Sequence, residues 1–236
     1  MAWQPEKWMT ATQRARVDAG EALDDVLGPP SVIVGIEADV GEDREDWHDW
    51  YPRPLQVVQW TLASAPFHPI ALQAVLRAAY ATTDAAEWSR NHYKTTQRLR
   101  AELAAARAGN YASDEERAYI ISSKQAELSA AEKKTALSEP RDGGPVGVMG
   151  WTGPGVWTDA VLAYLHVRAG AVWTDLRELR APTRFADVLV LPVTGFSPGV
   201  GQFGAAEQTD GLAMVWHQFR GSWREDGGHP MLWHGP

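Results

Sequence analysis

Apolar positions fall into three patterns along the chain. The run VIVGIEAD (32–39) is β-branched and unbroken until Glu37 and Asp39, which predicts a buried strand with two carboxylates at its C-terminal end. Open α/β sheets bind their ligands at that end. ADVLVLPVTGF (186–196) predicts a second buried strand, and SPGVGQFG (197–204) a loop. Helical spacing marks two other regions. In QVVQWTLASA (56–65), Val57, Val58, Thr61 and Leu62 share one side, predicting a helix from Leu55 that Pro66 and Pro69 interrupt, then an apolar helix over roughly 70–80. In VWTDAVLAYLHV (156–167), Val156, Trp157, Ala160, Val161, Tyr164 and Leu165 line one face.

Residues 84–140 carry the third pattern: Ala, Glu, Lys and Arg at high density with sparse apolar positions. This predicts two solvated helices broken at Gly109-Asn110, the second opened by a capping box of Ser113 and Glu116. The stretch reads as a helical insertion, mobile or facing a partner. Residues 1–30 are polar, Ala-rich and unassigned, closing on Gly28-Pro29-Pro30. No internal repeat is visible.

Charge and composition narrow the chemistry. The 236 residues hold 22 Lys plus Arg against 30 Asp plus Glu, a formal charge of −8. With no basic stripe to release counterions, nucleic acid is a poor partner. The absence of cysteine removes disulfides, thiolate metal sites and a cysteine nucleophile. No apolar stretch approaches the ~20 residues that span a bilayer, and the first residues have no apolar core of a signal peptide. Twelve tryptophans offer flat faces suited either to sugar rings or to core packing.

Three places carry candidate chemistry. WTGPG (151–155) precedes a helix: Gly153 and Gly155 permit close backbone approach, Pro154 suits a first helical turn, and the free N–H groups there can hold a phosphate or hydroxyl. Asp159, one turn on, can accept from a sugar, and the same residues also read as a helix cap and a surface Asp. His217 in WHQFRGSW can ligate a divalent metal or touch a diphosphate, with Ser222 and Trp223 adding contacts, or it is structural. The acidic loop Asp43, Glu45, Asp46, His48, Asp49 lacks a calcium-loop pattern and reads as a solvated face.

Five strings, in order, resemble the fungal initiation-specific α-1,6-mannosyltransferases: VIVGIEAD (32–39), REDWHDWYPRPLQVVQWTLASAPFHPI (44–70), GWTGPGVWTDAVLAYL (150–165), ADVLVLPVTGFSPGV (186–200) and DGLAMVWHQFRGSW (210–223). The resemblance implies an α/β fold of GT-A type with a mostly parallel sheet, spanning 31–223 around the insertion at 84–140, with 224–236 as a tail. It implies transfer of mannose from GDP-mannose to a high-mannose N-glycan with retained configuration, manganese as cofactor, other Golgi mannosyltransferase subunits as partners, and a Golgi membrane location. Carried over by position, His217 would ligate the metal and Ser222 and Trp223 would close over the phosphates. Gly153, Pro154, Gly155 and Asp159 would border the sugars, and Glu37 and Asp39 would face the acceptor.

The sequence departs from the family pattern in one respect. It contains no Asp-x-Asp triplet, the motif that in this family precedes the matched region and binds the sugar nucleotide. Glu37-Ala38-Asp39 aligns with a different family element. The expectation is therefore an incomplete GT-A domain, the C-terminal part of the enzyme, truncated or inactive in isolation. Two rivals remain: a non-catalytic carbohydrate-binding or scaffold subunit, and a glycosyltransferase acting on a sphingolipid.

Overall fold

The computed structural model describes residues 9–41 and 46–218. In chain order the elements are α1 (Ala11–Asp18), α2 (Leu23–Leu27), β1 (Val32–Asp39), the single turn α3 (Trp47–Trp50), β2 (Leu55–Val57), β3 (Ala63–Ser64), α4 (Pro69–Ala108) and α5 (Asp114–Glu132). There follow the single turn α6 (Val148–Trp151), α7 (Pro154–Ala169), β4 (Thr183–Phe185), β5 (Val188–Leu191) and the single turn α8 (Val193–Phe196).

One mixed sheet organises them, in the order β2-β1-β5-β4 with β3 also on β1. β1 and β5 are the two buried strands read from their apolar runs, and they pair in parallel, Val32 opposite Val188 through Gly35 opposite Leu191. The other pairings are antiparallel, so the mostly parallel sheet implied by resemblance is corrected to one parallel pair. On one face Val32, Val34, Ile36, Leu55, Val57, Val188 and Val190 pack against Trp157, Val161 and Leu165 of α7 and Ile70 of α4. On the other, Val58, Leu191 and Phe196 form a smaller core. Gly35 is required there: a Cβ at this position would lie 2.5 Å from the Phe196 ring.

The helix expected from Leu55 is instead strand. Residues 55–64 run antiparallel along β1, as β2 beside its C-terminal half and as β3 beside its start. The helical spacing misled because Val57 and Val58 are both buried for different reasons. Val57 faces the main core, while Val58 turns to the other face and donates its N–H to Gly35 O. Backbone groups on the buried edge of β1 need partners, and that demand outweighs a short periodic pattern.

α4 is longer than predicted. It starts at Pro69 with His68 as N-cap and runs 40 residues, about 60 Å, through position 84 without a break. Nothing in its Ala-rich sequence stops it before Gly109. The break at Gly109-Asn110 is present, and Ser113 caps α5 by accepting the Glu116 N–H; the Glu116 carboxylate accepts from Ala112. α4 and α5 share a small core of Leu99, Leu103 and Leu128, flanked by Arg100–Glu132 and Lys124–Glu102 ion pairs. Two tryptophans tie α4 to the segment before α7: Trp151 donates to Thr82 and Trp88 to Gly143 O. The segment before β1 is held to β4 by the buried Arg184, which donates to Gly28 O.

A polar brace closes the end of the sheet where β5 begins. Asp187, in the two-residue turn from β4 to β5, accepts from Tyr164 Oη on α7 at 2.9 Å and lies 3.1 Å from His68 Nε2 at the start of α4. His68 Nδ1 accepts from the Ile70 N–H, so Nε2 carries the proton and donates to Asp187. Burial works to raise the Asp187 pKa, but the His68 and Tyr164 contacts outweigh it and hold the carboxyl below the usual range. A lowered folded pKa adds stability above the ordinary Asp value and loses it as pH falls through the folded value. Asp187→Asn should therefore destabilise most at neutral pH, with the difference shrinking in acid below the ordinary Asp range. Thermal unfolding across pH checks this; a difference that does not shrink would contradict the brace.

Candidate functional site

Glu37 occupies a bulge. Ile36 pairs with Val57 and Ala38 with Gln56, so two steps on β1 oppose one on β2 and Glu37 is the extra residue. Bulges re-aim side chains and recur beside active sites. Gln56, 2% exposed, donates from Nε2 to Glu37 Oε2 at 2.5 Å, while its own Oε1 is buried without a protein partner. Burial pushes the Glu37 carboxyl upward; contacts with Gln56 and, more weakly, the Trp60 indole offset part of this. The Trp60 ring lies 4.6 Å from that of His217 at a tilt of 48°. Burial lowers the His217 pKa, which favours the neutral imidazole. Glu37, Gln56, Trp60 and His217 thus form one cluster near the C-terminal end of β1.

The residues at the α7 start lie next to it. Val57 N–H donates to Thr158 Oγ1 and Gln59 to Thr152 O, tying the strand segment to WTGPG. Gly153 is the N-cap and Pro154 the first helical residue, as predicted. The closeness that Gly153 and Gly155 permit is used internally: a Cβ on either would lie 2.8 Å from the Met149 backbone. Asp159 is paired with Arg53 through two bonds, 2.7 Å from Nε and 2.6 Å from Nη2. Both border a cavity of about 740 Å³. Asp39 is engaged elsewhere, accepting from Arg177 and from the Glu178 backbone N–H, and so holds the segment after α7 onto β1.

Arg53, Gln56 and Trp60 escaped the sequence reading. With 55–65 taken as helix, Gln56 had no reason to lie beside Glu37. Strand pairing supplies it, and a polar residue between two core-facing ones was the available signal. Ser222 and Trp223 lie outside the described residues.

The manganese implied by resemblance can be tested against the donor set. Among the described residues no three His, Cys, Asp or Glu side chains converge to hold a metal. His217 offers a single imidazole beside an indole. The described residues do not make a manganese site by themselves. Among the same residues, no helix is long and apolar enough to cross a membrane.

Comparison with known proteins gives the lineage. The chain is 36% identical over 196 residues to the initiation-specific α-1,6-mannosyltransferase of Schizosaccharomyces pombe, a match covering 83% of this chain and 36% of that protein. The Candida albicans protein of the same name is 30% identical over 83% of this chain and 42% of its own length. The Saccharomyces cerevisiae one is 27% identical over 86% and 51%. Over most of its length the chain is a homologue of these fungal mannosyltransferases. It spans about half or less of the length of these relatives. No protein-family model matches it, and no solved structure does.

Homology to these mannosyltransferases is consistent with a mixed α/β fold whose polar cluster sits where β1 ends. Within this mannosyltransferase homologue the half-buried Glu37 has a testable signature. A carboxyl with a raised folded pKa favours the protonated form on folding, so stability falls as pH rises from the ordinary Glu value through the folded one. Glu37→Gln removes that titration while keeping an acceptor for Gln56. Its stability relative to wild type should rise with pH across that window and then level off, read by denaturant unfolding at a series of pH values. A difference that stays flat would mean Glu37 is not held in a desolvating site.

Proposed function

We propose that this chain forms the acceptor-facing part of an α-1,6-mannosyltransferase acting in the Golgi, which moves mannose from GDP-mannose onto a high-mannose N-glycan. The observation that carries the reading is the 36% identity over 83% of the chain to an initiation-specific α-1,6-mannosyltransferase. The cluster at the end of β1 supports it chemically. Glu37, its carboxyl pushed upward in pKa by burial and fixed by Gln56, offers an acceptor to sugar hydroxyls. Trp60 presents a half-exposed aromatic face for a sugar ring. A neutral His217 can donate one N–H toward a departing diphosphate, where preorganised donors have their largest effect.

The sequence holds no Asp-x-Asp, so the purified chain is expected to give no transfer by itself. Manganese and further mannosyltransferase subunits belong to the same proposal through the family resemblance. The test is a fusion to the portion of the Schizosaccharomyces pombe relative that this chain does not match. Incubated with GDP-mannose, manganese and a high-mannose acceptor, the fusion should yield a product one hexose heavier by mass spectrometry. His217→Ala in that fusion should lower turnover on the order of a hundredfold to a thousandfold, the cost of one lost charge-stabilising contact. A folded fusion that binds the glycan yet transfers nothing would instead favour a non-catalytic carbohydrate-binding protein.

A further inference from the structure

We infer that the cavity beside Asp159 is an oligosaccharide subsite, holding the inner part of the glycan acceptor away from the Glu37 cluster. This deepens the acceptor reading above and rests on it for the identity of the glycan.

Position comes first. Pro54 O accepts from Val40 and Gly41 just past β1, and the preceding Arg53 carries the chain into the cavity wall. The cavity therefore opens beyond the same strand end as the Glu37 cluster. Its volume of about 740 Å³ lies within the ~300–1,000 Å³ usual for ligand sites.

The lining then selects the ligand class. Gln73, Arg77, Tyr80 and Asp84 sit at helical spacing on one side of α4. Across from them stand Arg53 with Asp159, and Arg141 with Glu139. Three guanidinium groups face three carboxylates, so no net field selects a phosphate or other anion. Fixed donors and acceptors of both kinds, with the aromatic faces of Trp47 and Tyr80, instead match the hydroxyls and apolar faces of a neutral sugar. Arg53 and Arg141 are already paired, to Asp159 and Asp49.

Arg77 is different. It makes no hydrogen bond or ion pair to a described residue, and its Nε is shut off from solvent without a partner. A buried unsatisfied donor costs stability, so Arg77 is not there to hold the fold. Tyr80, one turn along, is 74% exposed and likewise free of a packing duty.

Calorimetric titration of the purified chain with a released high-mannose glycan, without donor, tests the inference. The wild-type chain should bind. Arg77→Met, which keeps the apolar stem, should weaken binding about tenfold or more, as expected for losing a hydrogen bond from a charged group. Its melting temperature should stay unchanged or rise, since only an unsatisfied donor is removed. Tyr80→Ala should weaken binding similarly, and Tyr119→Ala, an exposed tyrosine on α5, should not. Glycan affinity that survives both Arg77→Met and Tyr80→Ala would overturn the subsite, even if the fusion enzyme transfers mannose. Binding of inorganic phosphate, lost with Arg77→Met, in a chain that ignores the glycan would overturn it too. Glycan binding lost in both variants would uphold it, even if the fusion proves inactive.

Discussion

Everything near the candidate site depends on one irregularity in the ladder between β1 and β2. A regular antiparallel pair would set Glu37 opposite a β2 residue. The extra residue breaks that register: Ile36 opposes Val57 and Ala38 opposes Gln56, so Glu37 has no opposite residue and stands beside Gln56. A carboxyl held this way is partly desolvated before any ligand arrives, which pushes its pKa upward. The same pairing fixes what flanks it. Running toward the chain start, β2 leads back to Arg53 and Asp159; running forward, it leads to Trp60 and His217.

The two ends of the sheet divide the work. Where β5 begins, Asp187 links the starts of α4 and β5 to α7 through His68 and Tyr164, a closed set of bonds with a structural role. Where β1 ends, polar groups are left with unused capacity: Gln56 Oε1 in the cluster and Arg77 in the cavity. α4 spans both regions. Its first turn is buried against the core, its next turns wall the cavity, and its second half pairs with α5. The charged, Ala-rich stretch after position 84 is therefore a continuation of the helix that shapes the cavity.

Much of this was legible in the chain. Both central strands, the α7 helix with its Gly153 cap and Pro154 start, and the break at Gly109 follow from local rules strong enough to survive tertiary context. What was lost is non-local. Residues 55–58 carry a pattern that reads equally as helix or strand, and only the unpaired edge of β1 decides it. Asp39 looked like a partner to Glu37 for an acceptor, yet its carboxylate is committed to Arg177 and the Glu178 backbone more than a hundred residues away. Asp159 was a candidate on its own, but its chemistry is that of an ion pair with Arg53, 106 positions earlier. Pairings across such separations have no signature in one sequence.

The proposed division between a transfer cluster and a glycan cavity can be tested through the tryptophan indole N–H resonances, with Trp60 in the cluster and Trp47 on the cavity wall. Two NMR titrations of the same labelled chain, with a high-mannose glycan and with GDP-mannose, separate the two places. The glycan is predicted to shift the Trp47 signal, while GDP-mannose, however weakly bound, moves Trp60 and leaves Trp47 in place. A glycan that shifts Trp60 and leaves Trp47 in place would contradict the account.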